Sequence, residues 1–184
     1  MSTAPDSGAD GGAGHRAGGS LPGPLQDRAL LDDAVLRALG EGARAAASGD
    51  VPVGAVVLDA GGAVIGAGHN AREAEGDPTA HAEVLALRAA GLAQGSWRLE
   101  GCTLAVTLEP CAMCAGAAVL SRVARVVYGA RDLKAGAAGS RWDLLRDPAA
   151  NHRPEVVPPD LLPARTADRC AAALTDFFSR RRFR

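Results

Sequence analysis

The chain has 184 residues, of which 47% are hydrophobic and only 3% aromatic, so we expect one domain with a core of Ala, Val and Leu. A formal net charge of −1 excludes a globally basic nucleic-acid binder and restricts any such contact to a local patch. The sequence has no apolar run of about 18 residues and no secretory signal, which predicts a soluble cytoplasmic protein with no membrane partner.

The first part of the chain divides into a tail and a helix. Residues 1–24 are mainly Gly, Ala, Ser, Pro and Asp, and we expect a disordered tail there because so few apolar groups cannot offset the entropy of ordering. The remaining residues, 25–184, form the expected domain. Apolar residues at three- and four-residue steps predict its first helix over residues 26–48.

A hairpin and a second helix are expected next. Two apolar runs, residues 51–59 and 63–66, flank a Gly-Gly turn and predict paired strands. A polar loop over residues 69–79 then leads to a helix over residues 80–92. Thr79 stands where a capping side chain is expected for this helix.

The second half alternates strands and helices. Residues 103–108 predict a strand, residues 111–120 a helix and residues 125–128 a further strand, an order that implies a parallel crossover. A weak strand near Val156 and a last helix over residues 164–180 complete the pattern. We therefore expect an α/β fold of three layers, with helices on both faces of a mixed sheet.

Three fragments carry metal-binding chemistry: His81 with Glu83, Cys111 after Pro110, and Cys114. Two thiolates and one imidazole can hold zinc and leave its fourth tetrahedral position open, which is typical of a catalytic site. The two cysteines are three residues apart at a predicted helix start, so they share one face near the positive helix end.

Glu83 cannot be a simple helical neighbour of His81, because residues two apart on a helix face different directions. The conflict disappears if His81 lies at the edge of the helix and Glu83 faces a zinc-activated water as acid and base. Taken singly, each residue has a structural explanation, and C-x-x-C alone also fits a redox pair or half of a structural zinc site. Cys102 and Cys170 lack such partners and are interpreted as buried thiols.

The order H-x-E followed by P-C-x-x-C matches the signature of zinc deaminases that modify bases. Further stretches resemble the bacterial tRNA-specific adenosine deaminases, namely residues 51–56, 77–83, 107–117, 128–132, 136–140, 151–152 and 176–178. The resemblance implies a cytidine-deaminase-like fold with a sheet of five strands, one Zn²⁺ per subunit, and a homodimer without a nucleotide cofactor. It also implies hydrolysis of the wobble adenosine, position 34, of tRNA-Arg(ACG) to inosine with release of ammonia.

The same resemblance implies roles in RNA binding. Asn70 matches a contact to the flipped purine, and Asp132 matches a residue near the target sugar or adjacent backbone. Asn151 and Phe178 match positions that line the RNA groove. Lys134 is a candidate phosphate contact, together with the terminal arginines Arg180, Arg181, Arg182 and Arg184. Each has a structural alternative: the asparagines as turn formers, Asp132 as a loop cap, Phe178 as a core ring, and the arginines as a solvated terminus.

Two rival functions follow from the same motifs. A free-base or nucleoside deaminase, acting on guanine, cytosine or cytidine, shares the metal spacing, although residues 136–140 and Phe177-Phe178 resemble the RNA-acting branch. A catalytically idle RNA-binding or structural zinc module is the other alternative. The presence of Glu83 argues against it.

Overall fold

A computed structural model describes the backbone of residues 24–181 and the side chains of residues 28–181. The predicted tail lies outside this part except for Pro24, which begins the first helix, so its disorder stays a prediction. The elements run in the order α1 (Pro24–Ala47), β1 (Gly54–Leu58), β2 (Val64–His69), α2 (Arg72–Glu75), α3 (Ala82–Gln94), β3 (Thr103–Val106), α4 (Ala112–Leu120), β4 (Arg125–Tyr128), β5 (Glu155–Val157), a 3-10 turn (Pro159–Leu161) and α5 (Ala164–Arg181). None of these helices is long and apolar enough to cross a bilayer.

The strands form one mixed sheet in the order β2-β1-β3-β4-β5. β1 is antiparallel to both of its neighbours, with Gly54 opposite His69 on β2 and Ala55 opposite Val106 on β3. β3, β4 and β5 run parallel to one another. The crossover from β3 through α4 to β4 is therefore parallel, and the predicted mixed sheet of five strands is confirmed.

Alternate strand residues enter two separate cores, one on each face of the sheet. Ala55 and Val57 of β1 pack in a cluster with residues of α3 and α4. Val56 and Leu58 point the other way and pack with residues of α1 and α5. Because side chains alternate across a strand, both faces of this buried strand are apolar. The predicted three-layer α/β/α sandwich is confirmed.

The segment between β2 and α3 differs from the sequence prediction. Thr79 does not cap α3: its hydroxyl donates to Asp77 Oδ1 at 2.8 Å, and its backbone N–H donates to the same oxygen at 2.7 Å. Asp77 thus closes a local turn, and the helix starts two residues later than predicted, at Ala82, with His81 as its N-cap. The prediction of Thr79 as the cap was wrong.

The loop predicted over residues 69–79 also contains a short helix, α2. The buried carboxylate of Asp50 accepts hydrogen bonds from the backbone N–H groups of Glu73 at 2.9 Å and Ala74 at 3.1 Å. Asp50 therefore caps α2 from a distant part of the chain, which local patterns do not reveal. Arg72 is the first residue of the helix that this cap fixes.

Candidate active site

Two helices begin at the same edge of the sheet, where β2, β3 and β4 end. His81 is the N-cap of α3, and Cys111 is the N-cap of α4, with Cys114 in the first turn of α4. The positive ends of both helices therefore meet at one point. Such ends stabilise thiolates, as the sequence analysis expected for Cys111 and Cys114.

The three candidate ligands are close enough to share one ion. His81 Nδ1 lies 3.7 Å from Cys111 Sγ and 3.5 Å from Cys114 Sγ, and the two sulfurs are 3.7 Å apart. Zinc bonds of about 2.3 Å to sulfur and about 2.0 Å to nitrogen place two tetrahedral sulfurs about 3.8 Å apart, and sulfur and nitrogen about 3.5 Å apart. The donor set and its spacing therefore fit zinc.

Deprotonation of Cys111 also favours metal binding. The Cys114 thiol, and next the His81 ring, hold the pKa of Cys111 down to about 3, so one thiolate is present at neutral pH. The neighbouring Cys111 sulfur raises the pKa of Cys114, and zinc would displace that proton on binding. The hydrogen bond with Cys111 raises the pKa of His81 as well.

Glu83 is the second residue of α3 and is only 4% exposed. Burial raises the pKa of its carboxyl to about 7, a value suited to both taking and returning a proton near neutral pH. The backbone at His81 is extended, with φ −80° and ψ 148°, so the step from His81 to Glu83 is not helical. This geometry resolves the conflict that the two-residue spacing raised.

A cavity of about 570 Å³ opens at the same edge of the sheet. Its wall contains His81, Cys111 and Glu83 together with four of the predicted RNA-binding residues, Asn70, Asp132, Lys134 and Phe178. Asn70 is held by the segment just before β1, because its backbone N–H donates to Val53 O at 2.9 Å and its Nδ2 donates to Val51 O at 3.4 Å. The structure thus brings together residues that are up to about a hundred positions apart in the chain.

Other predicted residues lie elsewhere. Asn151 is exposed and outside the cavity, and its Oδ1 accepts a hydrogen bond from Arg122 Nη1 at 2.6 Å. Arg180 and Arg181 line a different groove, between α1 and α5, where Arg181 Nη2 donates to Gly49 O at 2.5 Å. Arg182 and Arg184 lie outside the described residues.

The interpretation of Cys102 and Cys170 agrees with the structure. Both side chains are buried, and all four cysteines are free. Burial raises the pKa of Cys102, and it raises the pKa of Cys170 to about 12. Both groups therefore remain neutral thiols at physiological pH.

Sequence reasoning missed three charged residues around the cavity. Arg72 and Arg131 line the cavity. Arg72 belongs to α2, and the run of Arg, Glu and Ala in α2 favours a helix, which could have predicted this element. Glu109 also lines the cavity and is 2% exposed. Its signal was a carboxylate directly after the predicted strand over residues 103–108 and directly before Pro110.

Comparison with known proteins identifies the family. The model of the cytidine and deoxycytidylate deaminase zinc-binding region matches residues 30–130. A tRNA-specific adenosine deaminase of Bacillus subtilis is 47% identical over 153 residues, covering 83% of this chain and 89% of that protein. A tRNA(Ile)-lysidine synthase of Deinococcus deserti is 57% identical over 116 residues, or 63% of this chain, but the match spans only 22% of that protein.

Solved structures agree with this assignment. A structure from a study of A-to-I editing by tRNA:A34 deaminases at the wobble position has a TM-score of 0.71 and 37% identity, covering 77% of this chain and 99% of that one. A guanine deaminase from Bacillus subtilis has a TM-score of 0.54 and 34% identity, covering 67% and 82%. The chain belongs to the cytidine and deoxycytidylate deaminase family and, within it, to the tRNA-specific adenosine deaminases.

Proposed function

We propose that this protein converts the wobble adenosine, A34, of tRNA-Arg(ACG) to inosine and releases ammonia. One observation carries the chemistry: the buried carboxylate of Glu83 lines the same cavity as His81 and Cys111, which form with Cys114 a triad whose spacing fits zinc. The adenosine and the tRNA are supported by the names of the B. subtilis relative and of the solved structure with the TM-score of 0.71.

His81, Cys111 and Cys114 would hold the zinc ion. Bound there, zinc supplies a Lewis acid that makes water nucleophilic at neutral pH. Glu83 takes a proton from the attacking water as the new C6–O bond forms, and returns it to N1 of the purine. The carboxyl then moves the second water proton to the exocyclic amine, the C6–N bond breaks, and ammonia leaves. Water and adenosine thus become ammonia and inosine.

The cavity is suited to a single nucleoside taken out of an RNA loop. Its volume of about 570 Å³ is that of an ordinary small-ligand site. A wobble base is unpaired, so placing it in such a pocket requires little unstacking energy. We assign the Asn70 amide to the purine edge, Asp132 to the sugar or adjacent backbone, and Phe178 to the apolar part of the groove.

Phosphate contacts would come from a local group of cations. Lys134, Arg72 and Arg131 surround the cavity although the chain as a whole carries a charge of −1. Asn151 and the arginines at the end of α5 would extend the contact along the RNA outside the cavity. A tRNA substrate also fits the cytoplasmic location predicted from the sequence.

A homodimer is the expected assembly. Met113 and Leu120 are 36% and 65% exposed and lie seven residues apart, on one face of α4. Two such faces can bury each other in a symmetric interface. Light scattering after size-exclusion chromatography tests this: a mass near 37 kDa supports the dimer, whereas the monomer mass of 18.6 kDa contradicts it.

The deciding experiment uses the purified zinc protein and tRNA-Arg(ACG). We expect inosine at position 34, measured by nucleoside mass spectrometry of the isolated anticodon fragment. An otherwise identical tRNA with guanosine at that position is the matched control and should release no ammonia. Free adenosine, cytidine and guanine are assayed in parallel, and deamination of a free compound but not of the tRNA would overturn the proposal.

Guanine deamination is the second candidate, because a guanine deaminase has the same fold at 34% identity. The two functions differ in what fills the cavity. A free base would occupy only the part beside His81 and Glu83, whereas a nucleotide in RNA would also engage Lys134 and Phe178. Lys134→Ala should therefore raise KM for the tRNA and leave any guanine turnover unchanged.

A further inference from the structure

The carboxylate of Glu109 is surrounded by donors from one loop. Its Oε1 accepts hydrogen bonds from the backbone N–H groups of Ala138 at 3.0 Å and Ser140 at 2.9 Å. Its Oε2 accepts from the backbone N–H of Asp132 at 3.1 Å and from the Ser140 hydroxyl. A buried carboxylate is strongly unfavourable unless it is fully hydrogen-bonded, and these donors meet that requirement. All of them belong to residues 132–140, named here the 132–140 loop.

The loop fits closely around this side chain. A Cβ atom at Gly136 would lie 2.5 Å from Glu109 Cδ and 2.5 Å from Asp132 O, so only glycine is compatible with the contact. Backbone bonds add to it, because Ala137 N donates to Pro110 O at 2.7 Å and Gly136 forms a β-bridge with Cys111. The 132–140 loop and the segment that carries Cys111 therefore form one unit.

The same loop supplies part of the cavity wall, through Asp132, Leu133 and Lys134. Asp132 is attached to Glu109 by its backbone N–H, and its own Oδ1 accepts from the backbone N–H groups of Lys134 at 2.9 Å and Ala135 at 3.1 Å. The direction of the Asp132 side chain is thus set by a chain of hydrogen bonds that starts at Glu109.

We propose that Glu109 is a positioning residue, which holds Asp132 at a fixed place beside the zinc site and so sets the affinity of the cavity for its RNA substrate. The inference rests on the proposed function, since Asp132 is assigned there to the sugar or adjacent backbone. Glu109 acts through Asp132 rather than on the reacting atoms. Misplacement of a substrate-binding group by about 1 Å can lower the rate about 100-fold.

Glu109→Gln tests this with little change of shape. The amide has only one acceptor oxygen. If its NH₂ replaces Oε2, it can donate to the Ser140 hydroxyl, and only the Asp132 N–H then loses its acceptor. In the other orientation, two backbone N–H groups would be left unpaired, which is more unfavourable. The substitution therefore releases the loop at Asp132.

We expect Glu109→Gln to raise KM for tRNA about 10- to 100-fold, with a smaller change in kcat and full zinc content. Glu100→Gln, which alters a carboxylate with a 74% exposed side chain, is the charge-matched control and should match the unmodified protein. The effect of Glu109→Gln should vanish in an Asp132→Ala background, because the positioned group is then absent.

The positioning role would be overturned if the effects of Glu109→Gln and Asp132→Ala on KM were additive. It would also be overturned if Glu109→Gln lowered the melting temperature and left KM unchanged. If Glu109→Gln does not fold, Ser140→Ala replaces it in the double-mutant cycle with Asp132→Ala. Ser140→Ala removes the hydroxyl donor to Glu109 and should raise KM about threefold only when Asp132 is present. An unmodified protein that makes no inosine at position 34 refutes the proposed function instead, so the two failures are distinguishable.

Discussion

His81 Nδ1 and Cys114 Sγ lie 3.5 Å apart although the two residues are 33 positions apart in the chain. Each belongs to the start of a different helix, α3 or α4, and the two helices share the core on one face of the sheet. A zinc ion at this point would join these two elements by metal–ligand bonds, in addition to their packing and the His81–Cys111 hydrogen bond. Metal binding and folding stability should therefore be linked.

Removal of zinc should lower the melting temperature. A ligand present at about 1,000 times its Kd stabilises the folded state by about 4 kcal/mol, which corresponds to about 10 °C for a domain of this size. Calorimetry before and after dialysis against a chelator measures the shift, and added Zn²⁺ should reverse it. Cys114→Ala should show the low melting temperature and no response to zinc. An unchanged melting temperature in verified metal-free protein would contradict the link.

Glu83→Gln should abolish turnover without loss of zinc. The amide retains the shape of the side chain but cannot take a proton, and positioned proton transfer contributes about 100- to 10,000-fold to the rate. Single-turnover inosine formation gives the rate, and elemental analysis gives the zinc content. Substantial activity in a zinc-loaded Glu83→Gln protein would rule out the assigned role.

Substitutions of Asn70 and Asn151 should distinguish RNA contacts inside the cavity from RNA contacts outside it. Asn70→Ala removes an amide from the cavity wall, so we expect kcat/KM for tRNA to fall about 10-fold or more. Asn151 is exposed elsewhere, and Asn151→Ala should raise KM for full-length tRNA with kcat unchanged. Steady-state kinetics on full-length tRNA and on an isolated anticodon stem-loop provide the comparison. An equal effect of Asn151→Ala on kcat would refute its placement outside the chemistry.

Alanine substitution of Gly54 tests the close packing of α1 on β1, and alanine substitution of Gly40 is the matched control. A Cβ at Gly54 would lie 2.1 Å from Ala38 O, and such a backbone clash should destabilise the fold by about 3 kcal/mol or more. A Cβ at exposed Gly40 of α1 meets nothing within 4 Å, so Gly40→Ala should stabilise it by about 0.5–1 kcal/mol. Urea unfolding measures both. A Gly54→Ala protein as stable as the unmodified protein would contradict the close approach of α1 to β1.

The cysteines should fall into two reactivity classes. Burial raises the pKa of Cys102, and it raises the pKa of Cys170 to about 12, so neither forms appreciable thiolate at neutral pH. In native zinc protein, a thiol reagent should modify none of the four rapidly. After chelation, half-buried Cys111 should react first, as peptide mass mapping can show. Early modification of Cys170 would mean that α5 opens readily.

The sequence alone determined the parts of this protein that depend on local pattern. Apolar periodicity located the main helices and strands, and the spacing of His81, Glu83, Cys111 and Cys114 predicted a zinc site of the deaminase type, because three donors with one open position suit that metal. Even the edge position of His81 followed from its two-residue step to Glu83. The prediction that Thr79 caps α3 was wrong because the Thr79 hydroxyl and backbone N–H both donate to the nearby carboxylate of Asp77.

Contacts between distant segments were decided only by the tertiary structure. Asp50 caps α2, and Glu109 accepts hydrogen bonds from the 132–140 loop. In both cases the bonded residues are more than 20 positions apart in the chain. Hydrophobic periodicity in the sequence does not predict such pairs, because a buried carboxylate accepts hydrogen bonds from whichever N–H groups the fold places beside it. The same folding placed Asn70, Asp132, Lys134 and Phe178 in one cavity and left Asn151 outside it.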